Sequence, residues 1–252
     1  VRLLAVGRAW EEAYQWTLRA RSRWADAPDL GLSAVDLLAN LGRQEEAAAV
    51  LAELVPPLPT DLLARAATVA LRAALHEQAL VIAGRLDAAG AAAVRGQIAL
   101  WRMELDEVQA CASALLEGRS DSPAGWTLRG AATLLAAAPR TSRIHKDLHA
   151  AATAIQCFDH ALAADPAYAE ALVWRGETLA VLGQDHAALM DLDAGILLQG
   201  GFAPAARTLR FILERRNEPI DDHVETDPEL PGGPRDGHLG ELSDLLLTVG
   251  MS

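Results

Sequence analysis

The chain of 252 residues carries 22 Lys plus Arg against 34 Asp plus Glu, a net charge of −12, whereas a surface that coats nucleic acid needs the opposite sign. Hydrophobic residues make up 51% but aromatics only 4%, and alanine alone supplies about a fifth, a balance that points to close-packed helices. No apolar run reaches the roughly 18 residues of a membrane-spanning helix, and β-branched runs are too few for a sheet-built protein.

In chain order, Gly7-Arg8-Ala9-Trp10-Glu11-Glu12-Ala13 reads as a turn leading into a helix, the second half of a hairpin occupying 1–27. Leu41-Gly42-Arg43-Gln44-Glu45-Glu46-Ala47 repeats that pattern inside a hairpin at about 28–59. Leu75-His76-Glu77-Gln78-Ala79-Leu80 does so inside a shorter one at 60–88. Further hairpins fall at 89–122, 123–168 and 169–202, followed by a last helix at 203–216. An Arg-Gly pair marks their first helices, at Arg95-Gly96, Arg129-Gly130 and Arg175-Gly176. The first interval is 34 residues and the second 46, which is 34 plus 12. In the second helix of the 123–168 unit, Ala154, Phe158 and Ala161 give a small, large, small spacing that ends at Asp165-Pro166.

This pattern resembles the tetratricopeptide repeat family, whose units are 34-residue helical hairpins with a large residue, a small Gly, then an Ala, a Phe and a Pro. The resemblance covers 1–216 and departs from the family in placing Arg where Leu usually precedes each glycine. It implies an all-α, right-handed solenoid of about five hairpins, with a truncated N-terminal half repeat and a C-terminal capping helix. Small residues at helix crossings (Gly96, Gly130, Gly176, Ala47, Ala79, Ala154, Ala188) allow close approach, while Trp126, Phe158, Leu172 and Leu192 fill the space between hairpins.

In such a superhelix the first helices line a concave groove. Facing it by spacing are Asp29, Leu32, Asp36 and Asn40; Asp61, Thr68, Leu71 and Arg72; Gln97, Leu100 and Trp101; Thr127, Leu134 and Leu135; Glu170, Val173 and Glu177. The row is acidic at both ends and apolar in the middle, which suits a partner segment with basic ends and an apolar centre. The partner-binding candidates are Asp29, Asp36, Asn40, Asp61, Thr68, Arg72, Gln97, Trp101, Glu170 and Glu177. Trp101 is the aromatic anchor among them, whereas Trp10, Trp16, Trp24, Trp126 and Trp174 read as core.

The 123–168 unit exceeds the repeat by about twelve residues, read as the stretch Pro139 to His149, which is basic, so Arg140, Arg143 and Lys146 are candidate insertion-loop contacts. Residues 217–238 form an acidic linker rich in Pro and Gly, and 217–252 hold 9 acids and one arginine, hence −8 of the −12. Within 239–252, Leu239, Leu242, Leu245, Leu246 and Val249 make the apolar stripe of a short helix, read first as a cap on the last hairpin, with docking into another protein or the start of a further domain as the alternatives.

No phosphate loop, nucleophile elbow or paired-histidine metal motif is present, and Cys111 and Cys157 have neither zinc spacing nor a catalytic surround. The two cysteines read as buried free thiols in a reducing compartment. The chain is therefore expected to be no enzyme and to take no cofactor or metal. One lysine beside 21 arginines points to a GC-rich bacterial source. The expected setting is the cytoplasm, with the start at Val1 marking a chain cut from a longer one and leaving room for a leader. The expected function is a scaffold holding a protein or peptide in its groove, with no nucleic acid or membrane partner. The alternatives are an accessory domain of a larger bacterial enzyme or signalling protein, and a self-associating structural module.

Overall fold

The computed structural model describes residues 9–24, 27–56, 58–137, 148–198 and 213. Its regular elements are all helical: α1 (Trp10–Arg23), α2 (Pro28–Asn40), α3 (Gln44–Leu54), α4 (Thr60–Arg72), α5 (His76–Ala83), α6 (Ala88–Trp101), α7 (Leu105–Gly118), α8 (Pro123–Ala137), α9 (Leu148–Ala164), α10 (Ala169–Val181) and α11 (Asp185–Leu198).

Local chemistry sets the ends of these helices. Pro28 occupies the first turn of α2, where its missing N–H costs nothing. Asp87 caps α6 by accepting a hydrogen bond from the Gly90 N–H at 2.7 Å, and the Ser122 hydroxyl accepts from the Gly125 N–H at the start of α8. Between the helices of four hairpins the chain turns through a left-handed residue: Gly42 (φ 73°), Ala74 (φ 55°), Met103 (φ 56°) and Gly183 (φ 78°). Glycine takes that conformation freely, while Ala74 and Met103 hold it against the steric cost of a Cβ.

Neighbouring helices pack antiparallel in pairs, α2 with α3, α4 with α5, α6 with α7, α8 with α9 and α10 with α11, and α1 packs on α2. At every step of the stack the first helix of one pair also touches the first helix of the next, α2 on α4, α4 on α6, α6 on α8 and α8 on α10. The second helices keep less contact with one another, so the first-helix side is the inner side of the curve and the chain is an α-solenoid.

Small residues sit at the crossings. Ala47, Ala79, Ala154 and Ala188 are completely buried. A Cβ built on Gly130 would lie 2.6 Å from Phe158 Cε1, and one on Gly96 would overlap Leu128 Cδ1. These glycines are required by approach distance rather than by a turn. Phe158 and Leu192 are fully buried and Leu172 nearly so, whereas Trp126 is only half-buried. Trp126 stacks on His160 at 4.6 Å and donates its indole N–H to the Ser120 carbonyl. Leu213 is buried with Leu179, Ala180, Leu192 and Ile196 beside the last helix pair. Among the described residues no helix is long and apolar enough to cross a membrane.

Candidate functional site

The candidate surface is the side of the stack formed by α2, α4, α6, α8 and α10. The two acids of α2 are matched by arginines of α4. Asp29 pairs with Arg65, and Asp36 pairs with Arg72 through Nε to Oδ1 at 3.2 Å and a terminal nitrogen to Oδ2 at 2.5 Å. Both pairs are 36 residues apart, close to one repeat, so they form two rungs between adjacent first helices. Asp36 is almost inaccessible, and burial raises its carboxyl above the usual value while Arg72 opposes that rise. Asn40 donates its side-chain N–H to the Asp36 carbonyl at 2.8 Å. Thr68 donates to the Ala64 carbonyl, Asp61 is exposed in the first turn of α4, and Leu32 is wholly buried.

The middle of the surface is apolar and mostly closed. Leu100 and Thr127 are buried, with the Thr127 hydroxyl donating to the Pro123 carbonyl, and Gln97, Leu134 and Leu135 are half-buried. Trp101, 37% exposed, ends α6 and meets His76 of the preceding hairpin edge-on, with ring centroids 5.3 Å apart. The Nε2 atom of His76 is buried without a hydrogen-bond partner among the described residues. Desolvation, helped by Arg102, pushes the His76 imidazole below its usual value, so it favours the neutral form.

On α10 the pattern inverts. Arg175 reaches two second helices, gripping Asp191 of α11 with a bidentate pair at 2.7 and 2.8 Å and Asp159 of α9 at 2.7 Å. This leaves Glu170 and Glu177, both half-buried, with no cation or hydrogen-bond donor among the described residues. Desolvation alone pushes the Glu177 carboxyl up to about 7. Burial raises the neighbouring Tyr168 hydroxyl, and the charges of Glu170 and Asp165 raise it further.

The Arg175 clasp is a feature that the repeat pattern holds but does not announce. Arg175 and Asp191 are 16 residues apart, as are Arg95 and Cys111, while Arg129 and Cys157 are 28 apart, which is 16 plus the insertion of 12. Arg95 and Arg129 each lower the pKa of the thiol in the matching place, though burial wins and both thiols are raised. The arginine before each glycine thus faces its own hairpin's second helix. Arg65, the partner of Asp29, was likewise not anticipated, although the 36-residue spacing could have revealed it.

Two tryptophans expected in the core are not there. Trp16 on α1 is 51% exposed, and Trp24, the residue that ends it, is 58% exposed. Trp10, Trp126 and Trp174 are half-buried. Cys111 and Cys157 are free and buried on α7 and α9, and no group of three metal-ligating side chains occurs among the described residues. Arg140, Arg143 and Lys146, the linker 217–238 and the C-terminal stretch 239–252 lie outside the described residues.

No family model matches the chain, and no curated protein matches it. Solved structures similar to it include the TPR2AB domain of yeast Sti1 in its pHSP90 complex, at 13% identity over 84% of this chain and 94% of that one, with a TM-score of 0.39. TTC0263, a thermophilic TPR protein of Thermus thermophilus, matches at 18% identity over 88% and 100%, with a TM-score of 0.36. MamA from Desulfovibrio magneticus RS-1 matches at 14% identity over 86% and 93%, with a TM-score of 0.31.

Proposed function

We propose that this chain is a binding scaffold that holds a protein or peptide segment along the face of its first helices. The observation that carries the reading is the uncompensated charge on α10: Glu170 and Glu177 have no cation within the described fold, and Glu177 bears the desolvation cost of a carboxylate without a salt bridge. A group held in that state is stabilised by an incoming cation. In this reading half-buried Leu134 and Leu135 on α8 and exposed Trp101 at the end of α6 offer apolar contact along the same face. Asp29, Asp36 and Arg72 act in this reading through the Asp–Arg rungs, setting the spacing of α2 and α4 rather than gripping the partner directly. The preferred segment therefore places its Lys or Arg against the C-terminal half of the groove and apolar residues against the middle.

Panning a random peptide library on the full chain tests this. Selected peptides should share a basic residue next to apolar ones, and Glu170→Gln with Glu177→Gln should weaken them by about tenfold or more, as expected for losing a charge-assisted contact. Peptides without basic residues, or peptides indifferent to both substitutions and to Trp101→Ala, contradict the assignment.

A further inference from the structure

Arg95, Arg129 and Arg175 stand at one place in the repeat, but only Arg175 meets carboxylates there. Arg95 and Arg175 each precede the left-handed residue of their hairpin, Met103 or Gly183, by eight residues. Eight residues beyond that turn lies the side chain that faces the arginine from its own second helix, Asp191 for Arg175 and Cys111 for Arg95. For Arg129 this place is held by Cys157. The other contact of Arg175, Asp159, lies two residues past Cys157 on the preceding second helix. The same step past Cys111 gives Ser113 for Arg129. Past Ile82, which is eight residues beyond Ala74, it gives Gly84 for Arg95. Where Arg175 has two aspartates, the other two arginines have a thiol each, a hydroxyl and a glycine.

Neither Arg95 nor Arg129 makes an ion pair among the described residues, and the helices around them, α5 to α9, are all described. Arg95 is exposed and Arg129 half-buried. Each is the single charged side chain of its own helix, α6 or α8, so no acid on those helices cancels it. Glu107, which shares the Cys111 thiol with Arg95, accepts from that thiol at 3.6 Å. The Arg129 guanidinium lies 5.2 Å over the Trp126 ring, and that ring stacks on the exposed His160, so the fork is held in place.

We propose that Arg95 and Arg129 form a second binding surface, facing the second helices, that receives two carboxylates of an acidic protein segment. Arg175 is the template within the molecule, because the same position with acids in reach takes one carboxylate bidentately and another singly. Neighbouring first helices lie about 10 Å apart, so the partner's acids are spaced about three residues apart in an extended segment or about seven along a helix. This surface is distinct from the α10 carboxylates and selects the opposite charge. The net charge of −12 slows the encounter, but contact at the two forks is local and the rest is screened beyond about 10 Å.

Fluorescence anisotropy of fluorescein-labelled octaglutamate with the full chain tests this, since that peptide offers carboxylates at every spacing. Arg95→Gln combined with Arg129→Gln should weaken binding about tenfold or more. Arg19→Gln combined with Arg23→Gln removes the same charge from α1 and should leave the affinity within about twofold. Cys111→Asp combined with Cys157→Asp should also weaken binding, by giving each arginine the acid that Arg175 already has. Circular dichroism checks that each variant keeps its helices, and if the aspartates disrupt them the arginine pair decides. Octaglutamate that fails to bind, that binds equally without Arg95 and Arg129, or that is lost equally in the α1 variant overturns the proposal.

Discussion

The α2/α4 step and the α8 to α11 region use arginine and carboxylate in opposite ways. At α2/α4 the charges run along the inner face and cancel between hairpins, Asp29 with Arg65 and Asp36 with Arg72. In the C-terminal region Arg175 is directed to the second helices, where Asp159 and Asp191 hold it, and Glu170 and Glu177 of α10 have no counterpart among the described residues. The same residue types therefore join neighbouring first helices in one region and tie a first helix to two second helices in the other. The solenoid backbone is common to both, and the direction in which the arginine points makes the difference.

The largest effects should come from removing the arginines that lock each region. Arg72→Ala leaves Asp36 buried without its partner and should cost about 2–3 kcal/mol, measured by urea denaturation; Arg175→Ala should cost about 2 kcal/mol, because Asp159 can turn to water. If Arg175→Ala costs nothing, the clasp is ornamental and the contrast between regions fails. Gly130→Ala pushes a Cβ into Phe158 and should cost about 2 kcal/mol by the same measurement.

The next effect is one of pH. The folded carboxyl of Glu177, near 7, lies above its unfolded value of 4.5, so the native state holds that proton more tightly. Stability is full below the lower value and is lost as pH rises through the upper one. The loss should be about 1–2 kcal/mol after allowance for the exposed fraction of the side chain, and it should shrink in Glu177→Gln. Asp36 acts in the same direction, since burial raises it too, so part of the slope should survive in that variant. The smallest effect is at the turns, where Ala74→Gly and Met103→Gly should each stabilise the fold by about 0.5 kcal/mol, the relief of the left-handed strain less the added chain entropy.

Much of the fold was legible because the repeat is written in residues that only one geometry explains. Gly96, Gly130 and Gly176 recur with their alanines and large partners, and the structure places all three glycines in close contact with bulky side chains, among them Leu128, Phe158 and Leu192. The surface was less legible. Spacing puts Asp36 and Glu177 alike on first helices, but spacing cannot tell that Asp36 meets Arg72 while Glu177 meets no cation among the described residues, because that depends on the neighbouring hairpin. Trp16 and Trp24 were misread for a related reason. Tryptophan is buried on average, yet both rings are more than half exposed, and composition carries no information about which side of a helix its neighbours cover.

The titration of Glu177 itself tests the account most directly. Carboxyl carbon chemical shifts of the glutamate-labelled chain, assigned with Glu177→Gln, should give a midpoint near 7 in the free protein and a clearly lower one once a selected basic peptide is bound. A midpoint at the ordinary glutamate value, or one that the peptide leaves in place, would contradict the claim that an uncompensated carboxylate on α10 receives the partner's cation.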